Sequence, residues 1–196
     1  MKRARILPLV VFTFALIFSG CGYNSIQSGD ENVQAAWADV VNQYKRRADL
    51  IPNLVSTVKG YAEHEQEVLT KVTEARTKAT SINLDASVLE NEETFRRFQE
   101  SQSALSGALS RLLAVAENYP QLKADANFRD LQAQIEGTEN RIAVARTRYI
   151  EAVKSYNVVV RSFPSNLTAK LFGAKVKPNF TVENEKEIAE APKVAF

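Results

Sequence analysis

The chain has 196 residues, 45% hydrophobic and 24% charged, which is ample for a core and argues against global disorder. Seven glycines and six prolines leave little punctuation for a many-stranded β fold, so an all-α class is expected. Loss of an N-terminal segment carrying Lys2, Arg3 and Arg5 would change the net charge from +2 to −1, and such a balance gives no reason to expect a nucleic-acid partner.

Three basic residues in the first five precede an apolar run from Ile6 to Phe18, and Ser19, Gly20 and Cys21 follow. A basic start, a short apolar stretch and small residues predict a secretory signal over 1–20. As a helix the run rises only about 20 Å, short of the roughly 30 Å hydrocarbon core of a bilayer. An uncleaved, slightly short membrane anchor is the alternative. Cys21 is the only cysteine, so no internal disulfide forms and another use is expected. Phe18-Ser19-Gly20-Cys21 resembles the lipobox of bacterial lipoproteins, with Phe18 standing where Leu is usual. That resemblance implies a lipidated Cys21 at the mature N-terminus, holding the domain to a membrane on its extracytoplasmic side. Gly22 after it resembles the pattern for release to an outer membrane, where the host has one. The polar stretch 21–30 reads as a tether.

From Glu31 to Ile82 a first rod is predicted. Val33, Trp37, Val40, Tyr44, Ala48, Ile51, Val55, Val58 and Ala62 recur at alternating steps of three and four, resumed at Leu69 and Val72. Pro52 lies inside this rod, so a kink is expected near 49–53, or a break that raises the helix count to four. A second rod spans about 87–118, with a seam of Phe95, Phe98, Gln102, Leu105, Leu109, Leu112, Ala116 and Tyr119. Gln102, polar on an apolar face, reads as a register-setting or partly exposed position rather than a ligand site. The third rod, 128–163, repeats the beat in Phe128, Leu131, Ile135, Thr138, Ile142, Ala145, Tyr149, Ala152, Tyr156, Val159 and Phe163. A short helix, Leu167 to Phe172, capped by Asn166 and closed by Gly173, follows Pro164. The tail 174–196 is expected to be irregular, docking through Phe180, or through Val194 and Phe196. The architecture expected is an elongated antiparallel bundle of three long helices over 31–173.

The stretch Tyr44-Lys45-Arg46-Arg47-Ala48-Asp49-Leu50-Ile51-Pro52-Asn53-Leu54-Val55, then Val58-Lys59-Gly60-Tyr61 and His64-Glu65, resembles the N-terminal motif of the LemA family. Leu112 to Val115, Glu117 to Ala124, Glu139 to Arg146, Tyr156-Asn157 and the ending Ala191 to Phe196 are similar to its later segments. Ala48 stands where an aromatic is common, and Ile150 where Asn is often found. The resemblance spans nearly all of the chain after the signal. It implies a membrane-attached, extracytoplasmic helical bundle and brings no activity or cofactor with it.

No catalytic constellation stands out. His64 is the only histidine, and His64-Glu65 begins like a zinc-protease motif, but Val68 occupies the second ligand's place. No metal or cofactor is expected. The carboxylate pairs Glu92/Glu93 and Glu136/Glu139 read as solvated faces. The densest polar cluster surrounds Pro52: Lys45, Arg46, Arg47, Asp49, Asn53 and Lys59, with Gly60. It fits either a kink held by Arg–Asp contacts or a docking surface for a protein partner or an anionic envelope polymer. The function expected is a non-catalytic envelope scaffold or protein-interaction module, with unidentified envelope proteins as partners and oligomers possible. An enzyme or enzyme regulator acting on envelope material is the alternative.

Overall fold

The computed structural model describes residues 22–62 and 64–180, and the backbone of residues 6–21. Among the described residues the chain is all-α, with no strand. Six helices form: α1 Ile6–Lys59, α2 Gln66–Ser81, α3 Glu92–Ala116, α4 Pro120–Ala124, α5 Ala126–Arg161 and α6 Ser165–Phe172, with a 3-10 turn at Ala86–Glu90. The 54 residues of α1 would span about 81 Å. The side chain of Cys21 lies outside the described residues, as do Val194 and Phe196.

Four helices, α1, α2, α3 and α5, carry the core, where three rods were expected. The first rod divides, and not at Pro52. It stops at Lys59, and the N–H groups of Tyr61 and Ala62 both close onto the Val58 carbonyl, at 3.0 and 2.9 Å. Gly60 is a poor helix former, and the next seam positions after Ala62 are the polar Glu65 and Gln66, so nothing apolar holds a further turn. α2 therefore turns back along α1. Tyr119 Oη donates to Glu65 at 3.0 Å and Tyr61 Oη to Asp125 at 3.0 Å, fixing the turn against the start of α4 and α5. At the other end Gly29 of α1 lies against Tyr156 of α5, so α5 runs opposite to α1.

α1 continues through Pro52 because the missing donor is replaced. In a regular helix the Ala48 carbonyl accepts from residue 52, and proline has no N–H to give. Arg76 of α2 supplies one: its Nε donates to that carbonyl at 2.8 Å. Arg76→Met should cost about 1–2 kcal/mol by orphaning a buried carbonyl. In a Pro52→Ala background the cost should shrink, because the alanine N–H restores the bond. Equal losses in both backgrounds, measured by urea unfolding, would contradict this account.

Residues 24–30 are helical rather than a loose tether. Ile26 is buried, and Gly22 and Gly29 sit in phase with it and with Val33 on the inward face. A Cβ on Gly22 would come within 3.1 Å of Ser165, and one on Gly29 within 3.2 Å of the Tyr156 ring. These glycines serve close helix packing, not flexibility.

In α5 the buried residues follow the predicted seam through Tyr149, then shift to Val153 and Val160; Phe163 beyond the helix is exposed. A strict three-four beat averages 3.5 residues per turn. A straight helix has 3.6 and drifts about 20° per heptad, which moves the seam towards later residues. In α1 the seam differs in the opposite sense at one position, where Leu54 is buried and Val55, the next residue, is only half-buried.

Caps follow local chemistry. Asp85 caps the 3-10 turn, Asn91 caps α3 and Asp125 caps α5, each side chain accepting from a backbone N–H. α6 begins at Ser165 with Pro164 as its cap residue, so Asn166 lies inside the helix and does not cap it. Gly173 closes it with φ of 71°, a left-handed conformation that suits glycine. Beyond it the chain folds back over α5. Asn157 exchanges two hydrogen bonds with the Lys177 backbone at 2.9 and 3.0 Å, Tyr149 Oη donates to the Pro178 carbonyl at 2.8 Å, and Phe180 is buried. Burial pushes the Tyr149 hydroxyl well above its ordinary pKa, so it remains a donor.

Asp125 carries a pH prediction. Its hydrogen bond from the Phe128 N–H, then that from Tyr61, holds its carboxyl below the usual aspartate range. A lowered folded-state pKa means the carboxylate stabilises above the unfolded value, near pH 4, and that contribution is lost as pH falls through the folded value. Asp125→Ala should therefore destabilise at neutral pH, and its deficit relative to the unmodified chain should narrow on acidification below about pH 4. A deficit independent of pH from 7 to 2.5, in thermal melts at about those values, would contradict it.

Candidate functional site: a buried arginine layer and an exposed basic face

The apolar core is in two parts. One gathers Trp37, Tyr44, Phe95, Phe98, Tyr149 and Phe180; the other gathers Ile51, Leu54, Val72, Leu109, Leu112 and Ile135. Between them lies a polar layer whose centre is Arg47, only 1% exposed. Its Nη1 donates to Glu139 at 2.7 Å and to Ser106 Oγ at 2.6 Å. Its Nη2 donates to Gln102 Oε1 at 2.7 Å and to the Gln102 carbonyl at 3.3 Å. Gln102 Nε2 in turn donates to the Ala79 carbonyl at 3.3 Å. One guanidinium thus links α1 to α3 and α5 directly, and to α2 through Gln102. The group also stands over the Tyr44 ring, 5.1 Å from its centroid. Its Nε has no hydrogen-bond partner among the described residues.

The layer opens to solvent through a groove of about 400 Å³, lined in part by Glu139, Arg146 and Ile150. Glu139 is 40% exposed and its carboxylate is engaged by Arg47. It is therefore more than part of a solvated face. Burial, opposed by the charges of Arg146 and Arg47, raises the Tyr44 hydroxyl pKa. The Glu139 carboxylate is charge-paired with Arg47 through one oxygen at the mouth of this groove. What the arrangement does chemically is fix register: the four helices meet these partners at one relative height.

The six residues singled out around Pro52 separate into two sets. Lys45, Arg46, Asp49, Asn53 and Lys59 lie exposed on the outer side of α1. Arg47 does not belong to that surface. Three residues along from Tyr44 and four before Ile51, it falls on the inward face and pairs with Glu139, not with Asp49. Gln102 is buried rather than partly exposed, and its partner is this arginine. No sequence signal joined Arg47 to Glu139, 92 positions away. The inward phase of Arg47 could have raised the question of a buried partner. His64 lies exposed in the α1–α2 turn, and no group of three or more His, Cys, Asp or Glu could hold a metal among the described residues.

The chain is similar to proteins of known name. Magnetosome protein MamQ 2 of Paramagnetospirillum magneticum is 23% identical over 203 residues, covering 95% of this chain and 72% of the relative. Magnetosome protein MamQ of Magnetospirillum gryphiswaldense is 22% identical over 208 residues, covering 98% and 74%. Protein LemA of Metamycoplasma hominis is 29% identical over 148 residues, covering 75% of this chain and 60% of the relative. The model of the LemA family matches residues 36–196, which include both the arginine layer and the exposed face of α1. With most of its length matched, the chain belongs to the LemA family.

Proposed function

We propose that this protein is a non-catalytic, membrane-tethered rod on the extracytoplasmic side of a bacterial envelope, which holds or recruits other envelope proteins. The observation that carries the reading is the unbroken α1. It leads from the apolar run Ile6–Phe18 straight into the bundle core, so an attachment at the N-terminus orients the whole rod. Either form of attachment, a lipid on Cys21 or an uncleaved anchor, enters at the same end. Kinship with proteins named for the magnetosome supports a place in a bacterial assembly. The rival reading, an enzyme or enzyme regulator acting on envelope material, calls for carboxylates converging in an enclosed cleft. The carboxylate of the arginine layer is already held by Arg47, which favours the scaffold.

The recruiting surface is the exposed face of α1 with Lys45, Arg46, Asp49, Asn53 and Lys59. Its excess of positive charge suits an acidic partner surface. A photo-crosslinking residue placed at Asn53 in the native membrane should give a discrete adduct with another protein. Lys45→Glu with Arg46→Glu should abolish it while leaving helical content unchanged. An adduct indifferent to charge reversal, or none at all, would sink the assignment of this face.

A further inference from the structure

The end of the bundle where α1 enters is finished by α6, and α6 is packed the wrong way round for a helix in water. Surface helices turn their leucines inward. Here Ala169 is the buried residue, while Leu167 and Leu171 point outward, Leu171 with 79% exposure. Phe163, in the bend between α5 and α6, is 77% exposed, and Phe172 and Val176 are exposed as well. An apolar patch of several large side chains on one surface marks a contact site.

Charge points to the occupant. From residue 152 to 182 the sequence carries five basic residues and no acidic one. Lys177 is paired with Asp30 at 2.7 Å, but Arg161, Lys170 and Lys175 are exposed around the apolar patch. The patch also adjoins the start of the described chain. Gly22 abuts Ser165, and the Tyr23 ring lies 4.7 Å from Phe172. The apolar run Ile6–Phe18 and Cys21 therefore leave the bundle beside α6.

We propose that α6 and its flanks form a second membrane contact, seated in the headgroup and outer acyl region of an anionic bilayer. Phe163, Leu167 and Leu171 enter the apolar boundary while Arg161, Lys170 and Lys175 reach the lipid phosphates. The proposal rests on the tethered N-terminus put forward above. Its consequence is orientation, because two contacts hold a rod at a fixed angle where one leaves it free to swing.

The test uses the full chain in vesicles of phosphatidylglycerol and phosphatidylethanolamine doped with a phosphatidylcholine whose acyl chain carries a diazirine. After irradiation, lipid adducts are mapped by peptide mass spectrometry. Adducts are expected on residues 163–176 as well as on the N-terminal segment. Leu167→Asp with Leu171→Asp should remove the first severalfold and keep the second, with helical content unchanged. N-terminal adducts with 163–176 clean would overturn the proposal and leave the tether standing, assigning the patch to residues 181–196 or to a second copy. A chain that carries no adducts and leaves with the supernatant would overturn the tether, and this contact with it.

Discussion

Arg47→Ala should lower the stability of the bundle by about 3 kcal/mol, among the largest losses available to one substitution. The guanidinium satisfies the buried side chain and carbonyl of Gln102, the Ser106 hydroxyl and the Glu139 carboxylate at once. Each buried group left without a partner costs about 1–3 kcal/mol. Because Glu139 is 40% exposed, it regains water when the arginine goes, which keeps the loss below the full value for a buried pair. Arg47→Met with Gln102→Leu provides the contrast. It fills the layer with apolar volume and joins the two cores, so it should recover at least half of the single-variant loss. Urea unfolding followed by circular dichroism reads both. A single variant within about 0.5 kcal/mol of the unmodified chain would mean that the layer does not hold the helices in register.

Trp37→Ala should cost about 3–5 kcal/mol for a different reason. Its ring centroid lies 5.7 Å from Phe95, 5.2 Å from Phe98 and 5.5 Å from Tyr149, so truncation opens a cavity between α1, α3 and α5. Its indole N–H also donates to the Leu84 carbonyl at 3.2 Å, pinning the connection that follows α2. Trp37→Phe keeps much of the packing and loses the bond, so it should cost clearly less than the alanine variant. Since this is the chain's single tryptophan, the variants must be followed by circular dichroism rather than fluorescence. Equal losses in the two variants would mean that the hydrogen bond, and not the aromatic packing, holds this region.

The sequence revealed elements better than the joints between them. Most of the α3 seam was readable because Phe95 through Ala116 recur without interruption, and these seven residues are buried. Tyr119, the eighth expected, lies beyond the helix and is only half-buried. The α1–α2 turn was hidden by arithmetic: Ala62 and Leu69 are seven apart, so the beat resumes in phase after a turn that reverses the chain. Pro52 drew attention to the wrong place, since the remedy for its missing donor is an arginine 24 residues later in sequence. Gly22 and Gly29 looked like tether because small residues serve flexibility and close packing alike, and only their neighbours, Ser165 for Gly22 and the Tyr156 ring for Gly29, distinguish the two uses. Arg47 was grouped with the exposed residues around Pro52 because the cluster was read as a run of charge and not by helical phase, which turns Arg47 inward. Its partner on α5 could not be seen, because pairing across helices depends on their relative height and one-dimensional periodicity is silent on that.

The claim on which the functional account depends is the attachment of the rod at its N-terminus. The most direct measurement is the intact mass of the native protein recovered from fractionated membranes, beside a Cys21→Ser variant. The account predicts a membrane-bound chain, either beginning at Cys21 with added acyl mass and left unprocessed in the variant, or uncleaved and held by its apolar run. A full-length or trimmed chain without acyl groups, found in the soluble fraction, would contradict it.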